Sequence, residues 1–151
     1  MGLLDFLPPT TDLQEVEERK ALEQALRGVM SSRNDQARSE AVHALVDRVG
    51  DKRAAELFIS AFQAKSPAGV ETPATLGAVQ ALAYLGPQGI ELLSQAVRSE
   101  SPVVRKRAAM ALGKIGDKKA IEVLTPLLKD RVSYVREAAQ DAVDALDAAD
   151  G

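Results

Sequence analysis

The chain has 151 residues, 46% hydrophobic and 27% charged, a balance that excludes a disordered chain and suits one compact domain or one short array of repeats. A net charge of −3 gives no general attraction to nucleic acid or anionic membrane, and the absence of cysteine excludes disulfides and thiolate chemistry. Aromatic residues make up 3%, with no Trp, so the core must be built from Ala, Leu, Val and Ile.

Residues 1–7, MGLLDFL, are a short apolar piece before Pro8 and Pro9. They lack a basic n-region and contain Asp5, so they do not read as a signal peptide. Phe6 stands where a myristoylation pattern wants Ser or Thr. Two readings stay open: an anchor for a membrane or partner, or Leu3, Leu4, Phe6 and Leu7 folding back over the end of a helical stack. The second is favoured. No apolar run approaches the ~20 residues of a membrane span, and a cytoplasmic location is expected.

Residues 1–11 are thus an N-terminal arm, and 12–151 a helical domain. Asp12 opens a helix over 12–30, with Glu15 placed as in a capping box. Leu13, Val16, Leu22, Leu26 and Val29 supply its apolar face, and Glu15, Glu17, Glu18 and Glu23 make its other side acidic, as an end cap requires. Asn34 or Asp35 then caps a helix with apolar positions Ala37, Ala41, Ala44, Leu45 and Val49. Its pair, over 51–65, buries Leu57, Phe58, Ala61 and Phe62. The loop 66–72, SPAGVET, is the longest connection and the best place for a functional insertion. Residues 73–85 and 87–99 form the next pair.

The clearest unit is 101–130. Pro102 suits the first helical position, and Val104, Ala108, Ala111, Leu112 and Ile115 form one apolar stripe. Gly116 ends that helix and Asp117 caps the next, whose apolar residues are Ile121, Val123, Leu124, Leu127 and Leu128. After about 31 residues, a repeat-sized offset, Val135, Arg136, Ala139, Ala142 and Val143 echo Val104, Arg105, Ala108, Ala111 and Leu112. The run GDKRA at 50–54 nearly copies GDKKA at 116–120. Small residues recur at Ala41, Ala78, Ala108 and Ala139, and at Ala44, Ala81, Ala111 and Ala142, where stacked helices approach closely. The last helix ends near Ala148 and carries Asp141, Asp144, Asp147 and Asp150. The repeats therefore fall at 34–63, 72–98 and 101–130, with a half-repeat at 131–148.

This pattern, P-x-V-R-x-x-A-A-x-A-L-G-x-I-G-D-x-x-A-I-x-x-L-x-x-L-L at 102–128, resembles the HEAT repeat in the short form of phycobilin lyase subunits. The second repeat departs from it, with Thr75 in place of the arginine and Pro87, Gln88 and Gly89 in place of the aspartate turn. The resemblance implies an all-α fold, a short right-handed α-solenoid of HEAT-like helical hairpins. It leaves function open, because such repeats serve many purposes.

Catalytic chemistry finds no constellation. His43 is the only histidine and reads as a surface or boundary residue. Deoxyhypusine hydroxylase, a relative in architecture, binds iron through His-Glu pairs, but Ala44 follows His43 here. No glycine-rich phosphate loop is present. No cofactor and no metal are expected. Arg105, Lys106, Arg107, Lys114, Lys118 and Lys119 concentrate positive charge on first helices and turns, read as a solvated outer face rather than the basic groove of a HEAT-like DNA glycosylase. Nucleic acid is not an expected partner.

Second helices in solenoids of this kind line the inner side. Glu56, Ser60 and Gln63, then Glu91, Gln95 and Arg98, then Glu122, Thr125 and Lys129 should project there, grading from acid to base along each helix. Glu56, Glu91 and Glu122 also read as first-turn acids that favour the helix N-terminus. The surface suits another protein, so a non-catalytic adaptor is the leading reading. The rival, implied by the resemblance alone, is an accessory subunit of a bilin lyase or a related pigment-attachment factor. Neither the partner nor the oligomeric state follows from the residues.

Overall fold

The computed structural model describes residues 2–64 and 72–149. Most of the 66–72 loop, together with Met1 and Asp150, lies outside the described residues. The regular elements are helical: α1 (Leu13–Ser31), α2 (Asp35–Val49), α3 (Asp51–Phe62), α4 (Pro73–Tyr84), α5 (Pro87–Ala96), α6 (Pro102–Ile115), α7 (Ala120–Leu124), a 3-10 turn (Thr125–Lys129) and α8 (Ser133–Ala148). The chain divides into two compact units, Met1–Tyr84 with α1 to α4 and Leu85–Gly151 with α5 to α8. The division falls within the second repeat, the one that departs from the pattern.

In the first unit α1 packs against α2 and α4, and α3 against α2 and α4. Asp12 caps α1 by accepting from the N–H groups of Gln14 and Glu15 at 2.9 and 3.2 Å. The buried stripe of α1 is Ala21, Leu22, Ala25, Leu26 and Val29. Leu13, expected on that face, is 81% exposed. At about 100° per residue the step from Leu13 to Leu22 is about two and a half turns, so the two leucines point in opposite directions. Asn34 caps α2, accepting from the Ala37 N–H at 2.8 Å. There Val42 and Leu45 are buried, while Ala41 is half-buried and Ala44 exposed. The expected stripe is rotated because removing the larger Val42 from water outweighs removing an alanine. Gly28 lets α1 approach α2, since a Cβ there would stand 2.6 Å from the Ala41 Cβ. Phe58 and Phe62 of α3 are fully buried.

The arm folds back onto this unit. Leu3, Leu4, Phe6 and Leu7 are half-buried. Leu3 and Phe6 share a cleft of about 580 Å³ with Met30 near the end of α1, Ala64 after α3, and Pro73 at the start of α4. The arm therefore lies at helix ends and leaves the Leu13 side of α1 open.

In the second unit α6 packs against α5 and α8, and α8 against α7 and the 3-10 turn. Ser101 caps α6 by accepting from the Val104 N–H at 3.4 Å, and Pro102 takes the first helical position. Gly116 ends α6 at φ 78°, the left-handed conformation glycine adopts without strain. Leu93, Ala108, Ala111, Leu112, Leu124 and Val135 form the centre of an aliphatic core. The second helix of this pair is not continuous, as the apolar spacing predicts, but stops as α7 at Leu124 and tightens into the 3-10 turn. Pro126 has no N–H to donate, and its ring would strike the carbonyl one α-turn earlier. Asp117 accepts from the Lys119 N–H at 2.9 Å and so organises the turn before α7, while Lys119 is the cap residue.

Candidate protein-interaction surface

The residues proposed from the sequence sit on second helices or in the turns that follow them, and each is exposed. On α3, Glu56 accepts from Arg53 Nη1 at 3.2 Å, and the Ser60 hydroxyl donates to the Glu56 carbonyl at 3.1 Å. Gln63 follows the last turn of the same helix. In the other unit Glu91 and Gln95 lie on α5, with Arg98 in the turn after it. Glu122 lies on α7, and Thr125 and Lys129 lie in the 3-10 turn. The Thr125 hydroxyl donates to the Ile121 carbonyl at 2.7 Å. Within this second unit α5 packs against α7, which puts Glu91, Gln95 and Arg98 on an element neighbouring Glu122.

The carboxylates are not all first-turn acids. Asp51 fills that role in α3 and no acid does in α5; only Glu122 is in a first turn. Glu56 is held instead by Arg53, which also reaches Glu18 of α1 through Nε at 2.9 Å and Nη2 at 2.6 Å. Hydrogen bonds to Glu18 and then Glu56 hold the Arg53 guanidinium above its usual pKa.

The basic concentration is also redistributed. Arg105 is 7% exposed and Arg107 1% exposed, so neither belongs to a solvated face. Arg105 forks onto Asp130, with Nε 2.7 Å from Oδ2 and Nη2 3.1 Å from Oδ1. Its Nη1 donates to the Ser99 and Glu100 carbonyls at 2.8 and 3.1 Å. Asp130 Oδ1 also accepts from the Val132 N–H at 2.9 Å. The Arg105 hydrogen bonds hold the Asp130 carboxyl below the usual range; burial opposes this and the Val132 N–H assists it.

One signal for this arrangement was present in the sequence. The pattern arginine recurs as Arg38, Arg105 and Arg136, and each donates to a carbonyl in the turn before its own helix: Ser32 at 2.8 Å, Ser99 at 2.8 Å and Asp130 at 2.7 Å. Thr75, which replaces the arginine in the second repeat, performs the same fastening locally. Its hydroxyl donates to the Thr72 carbonyl at 2.9 Å, and its N–H donates to the Thr72 hydroxyl at 3.2 Å. The pattern arginine is therefore a turn lock.

His43 is exposed, as expected, with Nδ1 2.8 Å from the Ser39 carbonyl oxygen. Among the described residues no group of three or more His, Cys, Asp or Glu is placed to hold a metal ion, and no helix is long and apolar enough to cross a membrane.

Residues 71–144 match the family described as HEAT repeats. An engineered protein solved by a structural genomics consortium is similar, with 24% identity, 97% of this chain and 62% of that chain covered, and a TM-score of 0.51. A second engineered protein from the same consortium is 20% identical, over 96% of this chain and 47% of its own, with a TM-score of 0.40. The chain thus spans less than two thirds of the length of either. No functionally curated protein matches the chain. The family match and the first of these likenesses support the fold class, an all-α solenoid of HEAT-like hairpins.

Proposed function

We propose that the protein is a non-catalytic adaptor whose second helices bind another protein, from a cytoplasmic location and without a cofactor. The contacts are Glu56, Ser60 and Gln63 in the first unit, and Glu91, Gln95, Arg98, Glu122, Thr125 and Lys129 in the second. HEAT-like repeats generally mediate protein–protein interaction, and the family match over 71–144 supports that class of role. The observation that carries the reading is exposure. Each proposed side chain is open to solvent, while Leu57, Phe58, Ala61, Leu93, Leu124 and Leu127 on the same segments are buried. The intramolecular core uses the apolar side of these segments and leaves their polar side available. On α5 and its following turn, acid at Glu91 gives way to base at Arg98, and Glu122 and Lys129 repeat that order. A partner with the opposite order of charge is therefore favoured.

The pigment-attachment reading rests on the resemblance to phycobilin lyase subunits. Stacking on a tetrapyrrole needs accessible aromatic rings; Phe58 and Phe62 are fully buried, which leaves Tyr134 as the one aromatic residue in the exposed class among the described residues. The adaptor reading predicts an unchanged bilin spectrum on mixing with the protein.

The test is affinity capture from the source cell with mass spectrometry, using the natural chain and a bait carrying Glu56→Lys, Glu91→Lys and Glu122→Lys. A partner captured by the first bait and lost with the second supports recognition by this face. A partner held equally by both baits overturns it.

A further inference from the structure

A groove of about 540 Å³ runs between α6 and α8, on first helices rather than second ones. Its depth follows from small residues. A Cβ on Gly113 would stand 2.9 Å from the Ala142 Cβ and 3.1 Å from its Cα, so the two helices meet there at close range. Ala138 and Ala145 extend the floor along α8, and Met110 and Tyr134 supply larger apolar surfaces. Tyr134 is 40% exposed and is the one aromatic residue in the exposed class among the described residues. Methionine adapts its shape to a partner, and tyrosine is enriched where interfaces concentrate their binding energy.

The two rims carry opposite charge. Lys106 and Lys114 stand on the α6 side, Glu137 and Asp141 on the α8 side. Among the described residues, Lys114, Glu137 and Asp141 enter no ion pair. These three side chains therefore do not close the groove by pairing across it.

We infer that this groove binds an amphipathic helix of a partner protein. Its apolar seam rests on Met110 and Tyr134, its acidic edge faces α6, and its basic edge faces α8. A helix laid in a groove offers just such a seam between two edges. A second copy of this chain is the poorer fit. Its exposed large apolar residues among those described are Leu13 and Met30 at the two ends of α1, Leu76 on α4 and Tyr134 on α8, so no one helix presents them as a seam.

The test uses the full chain and labelled synthetic helical peptides with a leucine seam, read by fluorescence anisotropy. One peptide carries Glu on one edge and Lys on the other; the controls carry Glu on both edges or Lys on both. The mixed-edge peptide should bind at least ~10-fold tighter than either control, because like charges across a rim oppose binding. Lys114→Glu should make the all-Lys peptide the tighter ligand, and Tyr134→Ala should weaken the mixed-edge peptide by ~10-fold or more. Circular dichroism confirms that each variant is folded. The Glu56→Lys, Glu91→Lys and Glu122→Lys variant should bind the mixed-edge peptide normally, which separates this groove from the second-helix face. Absence of binding, binding without charge discrimination, or indifference to Lys114→Glu overturns the inference. So does self-association of the unliganded chain that Tyr134→Ala abolishes, which would make a second copy the occupant.

Discussion

The two units use the same pattern arginine differently. In the first, Arg38 donates to the Ser32 carbonyl and reaches only an exposed Asp35, at 3.7 Å. In the second, Arg105 makes the equivalent bond to Ser99 and adds a fork onto Asp130, with both side chains 8% exposed. The first unit has exposed ion pairs, as in Arg48–Glu17 and Arg27–Glu23, and one half-buried pair, Arg53–Glu18, and it fills its core with Phe58 and Phe62. The second has an aliphatic core and, among the described residues, buries the Arg105–Asp130 pair. The carbonyl bond is thus the common element of the repeat, and the carboxylate is an addition made where the chain supplies Asp130.

That difference sets where each unit is vulnerable. Asp130→Ala should have the largest effect, a loss of roughly 3–5 kcal/mol, because it leaves the buried Arg105 charge without its carboxylate. Chemical denaturation checks this. The same pair gives a pH signature. Its folded carboxyl titrates below the unfolded one, so its contribution is complete above the unfolded value of about 3.9 and disappears as pH falls through the folded value. Asp130→Asn should remove that part of the acid dependence, measured as denaturation midpoints at successive pH values.

Leu112→Ala comes next, at about 2–5 kcal/mol, since Leu112 is fully buried in α6 and the cavity would not close. A loss below about 0.5 kcal/mol would place Leu112 outside the core, because such losses belong to surface sites. Gly113→Ala should be smaller, about 1–3 kcal/mol from overpacking against Ala142, offset in part by roughly 1 kcal/mol of helix propensity. Gly28→Ala should behave in the same way in the first unit, where the contact at Ala41 is 2.6 Å. Thermal melts of the two variants compare the crossings directly. Glu17→Gln should have the smallest effect, within about 0.5 kcal/mol, because its pair with Arg48 is exposed.

Much of the fold was legible because caps and turns are local. Asp12, Asn34 and Gly116 act through their own backbone surroundings, and their residue types announce it. The alanine stripes of α4, α6 and α8 were legible through their spacing. Reading failed where one local rule competed with another. Pro126 breaks the second helix despite the apolar spacing around it, and Val42 draws α2 into a different rotation from the other repeats. It failed again where a partner is distant in sequence. Arg105 looks like Lys106 in a charge count, and Asp130 becomes its partner only when α6 and the 3-10 turn come together. The proposed contact residues are legible as exposed positions, whereas the α6–α8 groove needs the close approach of Gly113 to Ala142 before it exists.

The central comparison is between a buried pair and an exposed network, and a double-mutant cycle measures it directly. Arg105→Met and Asp130→Leu would be combined in one cycle, Arg48→Met and Glu17→Leu in another, all by denaturant unfolding of the full chain. The first pair should couple by more than about 2 kcal/mol and the second by no more than about 1 kcal/mol. Equal couplings, or a larger one for Arg48 and Glu17, would show that burial does not set the strength of these pairs.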